Sequence, residues 1–256
     1  LLKEREQILA RNGGKRSGVL TGLLVVAVVL GLLAWAAFSF SRSWTAPRDQ
    51  YPLQGIAISA DNGSVSWPSM AALNINFAYM LATRSSDYRD PAFGQNFAEA
   101  EKAKIGFGAL HHYSLCRLAT DQSENFVTTV PRRPKVQPPA VYLAFEEGCE
   151  DRPARALVLS ELTTFLNQIE THSGKRAIIR ISREFEDSYR ISADIGRDIW
   201  LEGNFFPPDY ASKAWVMWSD NDNHAMEGVD QPVEHVVIRQ SEGQGHNQGR
   251  NQESAQ

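Results

Sequence analysis

Cysteine is nearly absent from this chain: 256 residues hold two, Cys116 and Cys149. So few exclude a cysteine-rich metal cage or a dense disulfide scaffold. Cys149 has no Cys or His two to four residues away, and His111 and His112 are adjacent rather than spaced as ligands. No metal site and no cofactor is therefore expected. Charge of one sign is scarce as well: 26 Lys and Arg stand against 30 Asp and Glu, for a formal net charge of −4. Beyond the first sixteen residues there is no basic block, which argues against nucleic acid as a partner. Large apolar groups are missing from residues 241–256, so that tail has nothing to bury and is expected to be disordered.

What is present is one uncharged apolar run, residues 18–40. A bilayer span takes about 20 such residues. Lys3, Arg5, Arg11, Lys15 and Arg16 precede the run, and only Arg42 and Arg48 follow closely. That asymmetry keeps the N-terminus in the cytoplasm and sends the rest across the membrane. A cleavable signal peptide is the rival reading, because Ala34-Trp35-Ala36 offers a small-x-small site. The run exceeds the usual apolar core of roughly 7–15 residues, which favours a signal anchor. The organisation that follows is a cytoplasmic arm (1–16), a transmembrane anchor (17–40), a polar linker (41–53), one domain (54–240) and the tail (241–256). In a Gram-negative source the membrane is the inner one and the domain is periplasmic. Gly18 and Gly22, with Ala27, Gly31 and Ala34, give the anchor a surface suited to packing against other transmembrane subunits. A lone tether is the plainer alternative, since glycine is common in membrane helices.

In the exported part, apolar runs alternate with amphipathic stretches. Residues 55–59, 76–81, 105–110, 140–145 and 177–181 read as strands covered on both faces. Phe93, Phe97 and Ala100 follow a helical period; Val158, Leu162, Phe165, Leu166 and Ile169 make a clearer stripe between Pro153 and Gly174. After residue 197 come short strands around Ile199-Trp200-Leu201, Trp215-Val216-Met217-Trp218 and His235-Val236-Val237-Ile238, without clear helices between them. The pattern predicts an α/β fold with a mainly parallel sheet.

The order and spacing of several segments resemble family 25 of the glycoside hydrolases, lysozymes that cut peptidoglycan glycan strands. Gly55-Ile56-Ala57-Ile58-Ser59 with Gly63-x-x-x-Trp67 resembles the family's opening G-I-D-V-S…G-x-I-D-W. Phe77 to Thr83 and Asp87-Tyr88-Arg89-Asp90-Pro91-x-Phe93 resemble its second strand and loop, and Gly108-Ala109-Leu110-His111 its G-A-Y-H. Pro138 to Glu146 lies where the family has its D-x-E strand; Gly174-Lys175-x-x-Ile178-Ile179 and Trp215 to Ser219 fit later strands. The resemblance implies an irregular TIM-like (β/α)5β3 barrel behind one transmembrane helix, with peptidoglycan as a partner.

Departures from that pattern fall on the chemistry. Ala57 stands for the first-strand aspartate and Ala144 for the aspartate of D-x-E, while Glu146 keeps its glutamate. Leu81 and Arg84 replace the lysine and glutamate of K-A-T-E-G, and Glu234 falls near the late aspartate. Glycoside hydrolysis needs a carboxylic acid and a second carboxylate, so a catalytically impaired domain is expected. It would act as an accessory subunit of a membrane complex or as a peptidoglycan-binding module. An active muramidase with Glu146 as general acid is the alternative.

Three further residues are candidates for substrate contact: Asp61, His111 and Trp218. Each has a plainer reading. Asp61 falls in the polar turn Ser59-Ala60-Asp61-Asn62-Gly63. Of His111 and His112, one should face in and one out. Trp218, like Trp200 and Trp215, is in a late strand where aromatics are usually core. Cys116 and Cys149 lie in loops after the third and fourth strands, which a barrel brings together at its C-terminal face. A disulfide closing that mouth is expected; two separate buried thiols are the alternative.

Overall fold

The computed structural model describes residues 2–239, with side chains from Gly22 onward. It divides into two units, the first ending at Ser43 and the second beginning at Trp44.

The first unit is a single helix, α1 (Leu2–Ser43). Over Gly22–Ser43 it is long and apolar enough to cross a membrane; 22 residues rise about 33 Å, close to a hydrocarbon core. Its Leu, Val and Phe side chains from Leu23 to Phe40 are exposed on all sides. A Cβ added at Gly22 would touch nothing, so that position is open. Gly18 is on the same helix, but its surroundings lie outside the described residues, as does the tail from residue 240.

The second unit is an eight-stranded closed barrel, with a ninth strand of two residues paired antiparallel to Thr83 and Arg84 at its mouth. In chain order the elements are β1 (Leu53–Ile58), α2 (Trp67–Ala72), β2 (Phe77–Arg84), β3 (Tyr88–Arg89), α3 (Phe93–Ala103) and β4 (Gly106–Tyr113). There follow α4 (Ala119–Thr129), β5 (Ala140–Leu143), α5 (Arg155–Ser173), β6 (Ile178–Ile181), α6 (Arg183–Tyr189) and α7 (Ile191–Asp194). The chain closes with β7 (Asp198–Glu202), β8 (Met217–His224) and β9 (Val233–Ile238). Strands β1, β2, β4, β5, β6, β7 and β8 run parallel in that order. Strand β9 is antiparallel to both β8 and β1 and shuts the barrel. The expected irregular barrel is the observed one, with the irregularity concentrated in β9 and in the bare β7–β8 connection.

Two apolar layers hold it. The barrel interior is filled by Ala57, Phe77, Tyr79, Leu81, Leu110, Ala140, Ile178, Trp200, Met217 and Val236. Large rings fit because glycine faces them: a Cβ at Gly108 would overlap the Tyr79 ring, and one at Gly55 the Phe77 ring. The outer layer packs helices on strands, and the α5 stripe Val158, Leu162, Phe165, Leu166 and Ile169 is buried in it. Helix α5 ends on Gly174 at φ +72°, the left-handed cap for which glycine carries no Cβ penalty.

The stretch read as linker is tied to this unit. Ala46 N–H donates to the buried Asp220 carboxylate at 2.6 Å, and His235 Nδ1 meets the other carboxylate oxygen at 2.6 Å. Tyr51 stacks near Trp215, and the Trp44 ring lies 6.3 Å from that of Trp218.

Candidate functional site

Parallel strands bring their C-terminal ends to one mouth, where barrel sites form. Arg180 stands at its centre. It is the one charged residue in Ile178-Ile179-Arg180-Ile181, its side chain is 11% exposed, and alternation along β6 turns it inward. Its Nε donates to Glu202 Oε1 at 2.8 Å from β7, and its NH1 meets Glu234 Oε2 at 2.7 Å from β9. The second Glu234 oxygen accepts from the Ser219 hydroxyl, which in turn accepts from Trp200 Nε1 at 2.7 Å. The guanidinium also lies 4.2 Å from the centre of the Tyr142 ring and 5.1 Å from that of Trp200.

Two carboxylates thus share one guanidinium. Burial alone would disfavour the charge on Arg180, but Glu234 and Glu202 outweigh it and hold the group more firmly protonated than an ordinary arginine. For Glu234, burial pushes the carboxyl above its usual range; Arg180 pulls it down and Glu202 pushes it up again. The Tyr142 phenol is raised by burial and by Glu202.

On the opposite wall β2 carries a bulge. Leu81 pairs with Leu110, but Thr83 then pairs with His111 and Arg84 with His112. The extra residue turns Thr83 outward and aims Arg84 into the mouth. Outside, Thr83 Oγ1 and His111 Nδ1 are 2.8 Å apart, and His111 Nε2 is 3.3 Å from Gln122 Oε1. Inside, the His112 ring lies 4.9 Å from that of Tyr142. Burial lowers His111 to about 3; His112 falls to about 4 through burial, then Arg84 and Arg180. Both are neutral at pH 7.

Two adjoining chambers occupy this mouth, about 270 and 390 Å³, sharing Tyr142, Arg180, Asp222 and Glu234. Ala57 lines the first. Glu146 lines neither: β5 stops at Leu143, and Glu146 is half-buried in the turn beyond, its carbonyl accepting from Cys149 N–H at 3.2 Å. The residue β5 sends into the mouth is Tyr142.

The other predicted contacts follow their plainer readings. Asp61 is exposed in a short 3-10 turn, its N–H donating to the capping Ser59 hydroxyl at 3.2 Å, and it lines neither chamber. His111 is fully buried between β4 and the helices, its ring 4.7 Å from that of Phe165; the inward histidine is His112. Trp218 is 1% exposed in the outer layer, where no sugar reaches it. Cys116 and Cys149 are disulfide-bonded, with Cα atoms 5.8 Å apart. The bridge joins the expected loops, but Cys116 faces a cavity beside α5 and neither half-cystine lines the mouth chambers. Sequence reasoning gives Arg180, Glu202 and His112 no role as a cluster. A single arginine inside an otherwise apolar strand is the signal for it, since a buried charge needs a partner.

The model of the glycosyl hydrolases family 25 matches residues 56–229. The chain belongs to this family. The uncharacterised protein YegX of Escherichia coli (strain K12) is 24% identical over 195 residues, 73% of this chain and 70% of YegX. Lysozyme M1 of Streptomyces globisporus is 38% identical over 65 residues, 25% of this chain and 22% of its own. Among solved structures, a family 25 glycosyl hydrolase from Bacillus anthracis superposes with a TM-score of 0.71 at 25% identity, covering 79% of this chain and 95% of that one. A bacterial lysozyme from Streptomyces coelicolor gives 0.66 at 19% identity, covering 74% and 93%.

Proposed function

We propose that this family 25 domain is held at a membrane by its N-terminal helix and binds wall glycan without cutting it, serving a membrane assembly as an accessory subunit. One observation carries the reading: the two half-buried carboxylates of the mouth, Glu202 and Glu234, are both committed to Arg180, Asp222 and Glu184 line it only as exposed groups, and Ala57 leaves β1 with no carboxylate at all. Hydrolysis needs one carboxylic acid poised to protonate the leaving oxygen and another group free to stabilise positive charge. A guanidinium seated between the acids opposes that second role. The basic residues ahead of the apolar run of α1 favour a cytoplasmic N-terminus and a barrel on the far side, and the disulfide suits an oxidising compartment there.

A second reading, an active tethered muramidase, draws on Glu234, because a raised carboxyl pKa is what a general acid requires. Both Glu234 oxygens are nonetheless engaged, by Arg180 and by Ser219. Glu146 as the acid has less support, since it lines neither chamber.

Sedimentation of the detergent-solubilised full chain with purified peptidoglycan tests the binding arm, and retention in the supernatant would sink it. Copurification with other membrane proteins, lost on Gly22→Leu, is expected of the accessory arm. An unchanged set of partners in that variant would count against docking through the helix.

A further inference from the structure

The wall of the mouth formed by β2 and β4 has a charge pattern that the Arg180 cluster leaves unexplained. Arg84 Nε is buried with no hydrogen-bond partner, and among the described residues the guanidinium has no ion pair. The centre of the Tyr88 ring is 5.3 Å from Arg84 Cζ. Nearby, His112 Nε2 is also buried and unpartnered. Folded proteins rarely leave such groups unmet. Both side chains line the 270 Å³ chamber, whose floor is Ala57, Leu81 and Leu110.

The ligand class follows from the charges. Glu202 and Glu234 are occupied by Arg180 and Ser219, so they do not neutralise Arg84. One free guanidinium beside a neutral imidazole suits a monoanion. A phosphate dianion would meet Glu234 and Asp222, which line the same chamber. Planar carboxylate matches the guanidinium fork. The space also continues into the 390 Å³ chamber through Tyr142, far more than a bare two-carbon acid fills.

We infer that the mouth binds an acidic saccharide through its carboxylate, which Arg84 and His112 receive as donors while the sugar ring rests on Ala57, Leu81 and Leu110. His112 donates through Nε2 in the tautomer that carries its proton there. The inference deepens the reading of this mouth as a glycan-binding site and rests on it.

The test is a ligand-observed NMR titration of the full chain in detergent micelles with glucuronate, glucose and acetate. Glucuronate and glucose differ at one carbon, carboxylate against hydroxymethyl, and acetate supplies the carboxylate alone. Glucuronate should bind at least tenfold more tightly than either. Arg84→Gln should weaken it roughly 10–100-fold, the range for a charge-assisted hydrogen bond, while Arg84→Lys loses less. Thermal unfolding checks that the variants fold; His112→Leu removes the second donor should Arg84→Gln fail that check. Equal binding of glucose and glucuronate, tight binding of acetate alone, or glucuronate affinity unchanged in Arg84→Gln would overturn the proposal. So would no binding of any probe. If peptidoglycan sedimentation persists in that case, only the carboxylate inference falls; loss of both removes the binding reading too.

Discussion

Replacing Arg180 by methionine keeps much of its volume and removes the charge that Glu202 and Glu234 share. Its side chain is 11% exposed, and those of Glu202 and Glu234 are 26% and 14% exposed, so the orphaned carboxylates cannot fully recover water. Breaking a buried ion pair by removing one partner costs about 3–5 kcal/mol. For a domain of this size that lowers the unfolding midpoint by roughly 6–20 °C. The deficit should depend on pH with a definite sign. Glu234 already titrates above the usual carboxylate range, and losing Arg180 raises it further. A raised carboxyl contributes its stability at pH values below the unfolded pKa and loses it as pH rises through the folded pKa. The gap between wild type and Arg180→Met should therefore widen between pH 5 and pH 7.5. Thermal unfolding of the full chain in detergent at both values is the assay. Adding Glu234→Gln to the variant should restore part of the loss at pH 7.5. A deficit under about 1 kcal/mol that is independent of pH, with no recovery in the double variant, would refute a buried shared charge.

Two further outcomes are expected. Reducing the Cys116–Cys149 bridge, which closes a separation of 33 residues, should cost about 3–4 kcal/mol on the chain-entropy account; non-reducing mass spectrometry should find no free thiol before treatment, and an unchanged midpoint after reduction would contradict a structural role. His111, lowered to about 3, gives stability that is present above its unfolded pKa of about 6.5 and lost as pH falls below that. His111→Gln should thus lose about 2 kcal/mol less than wild type between pH 7.5 and pH 5, read as the difference between two denaturant series; parallel pH profiles would show that burial does not hold this ring neutral.

The barrel was legible because its strands are apolar on both faces and α5 carries a full stripe from Val158 to Ile169. Helix α4 was not, since much of its buried face is Gln122, Ser123 and Asn125, polar groups that break the apolar period. The polar stretch of β8 from Ser219 to His224 hides for the same reason. Most of the mouth was illegible. Strict alternation along β2 sends Thr83 inward and Arg84 outward, and only the bulge reverses them. The D-x-E register placed Glu146 at the site, but β5 ends three residues earlier and offers Tyr142 instead. Residues 44–52 looked like a free linker because their anchor, Asp220, is far along the chain.

Release of reducing ends from purified peptidoglycan by the full chain in detergent tests the central claim most directly, with Glu234→Gln and Glu146→Gln beside it and an active family 25 lysozyme as the positive control. The account predicts no turnover above background from folded protein, and no change in either variant. Turnover abolished by Glu234→Gln or by Glu146→Gln would contradict it and make this mouth a working muramidase site.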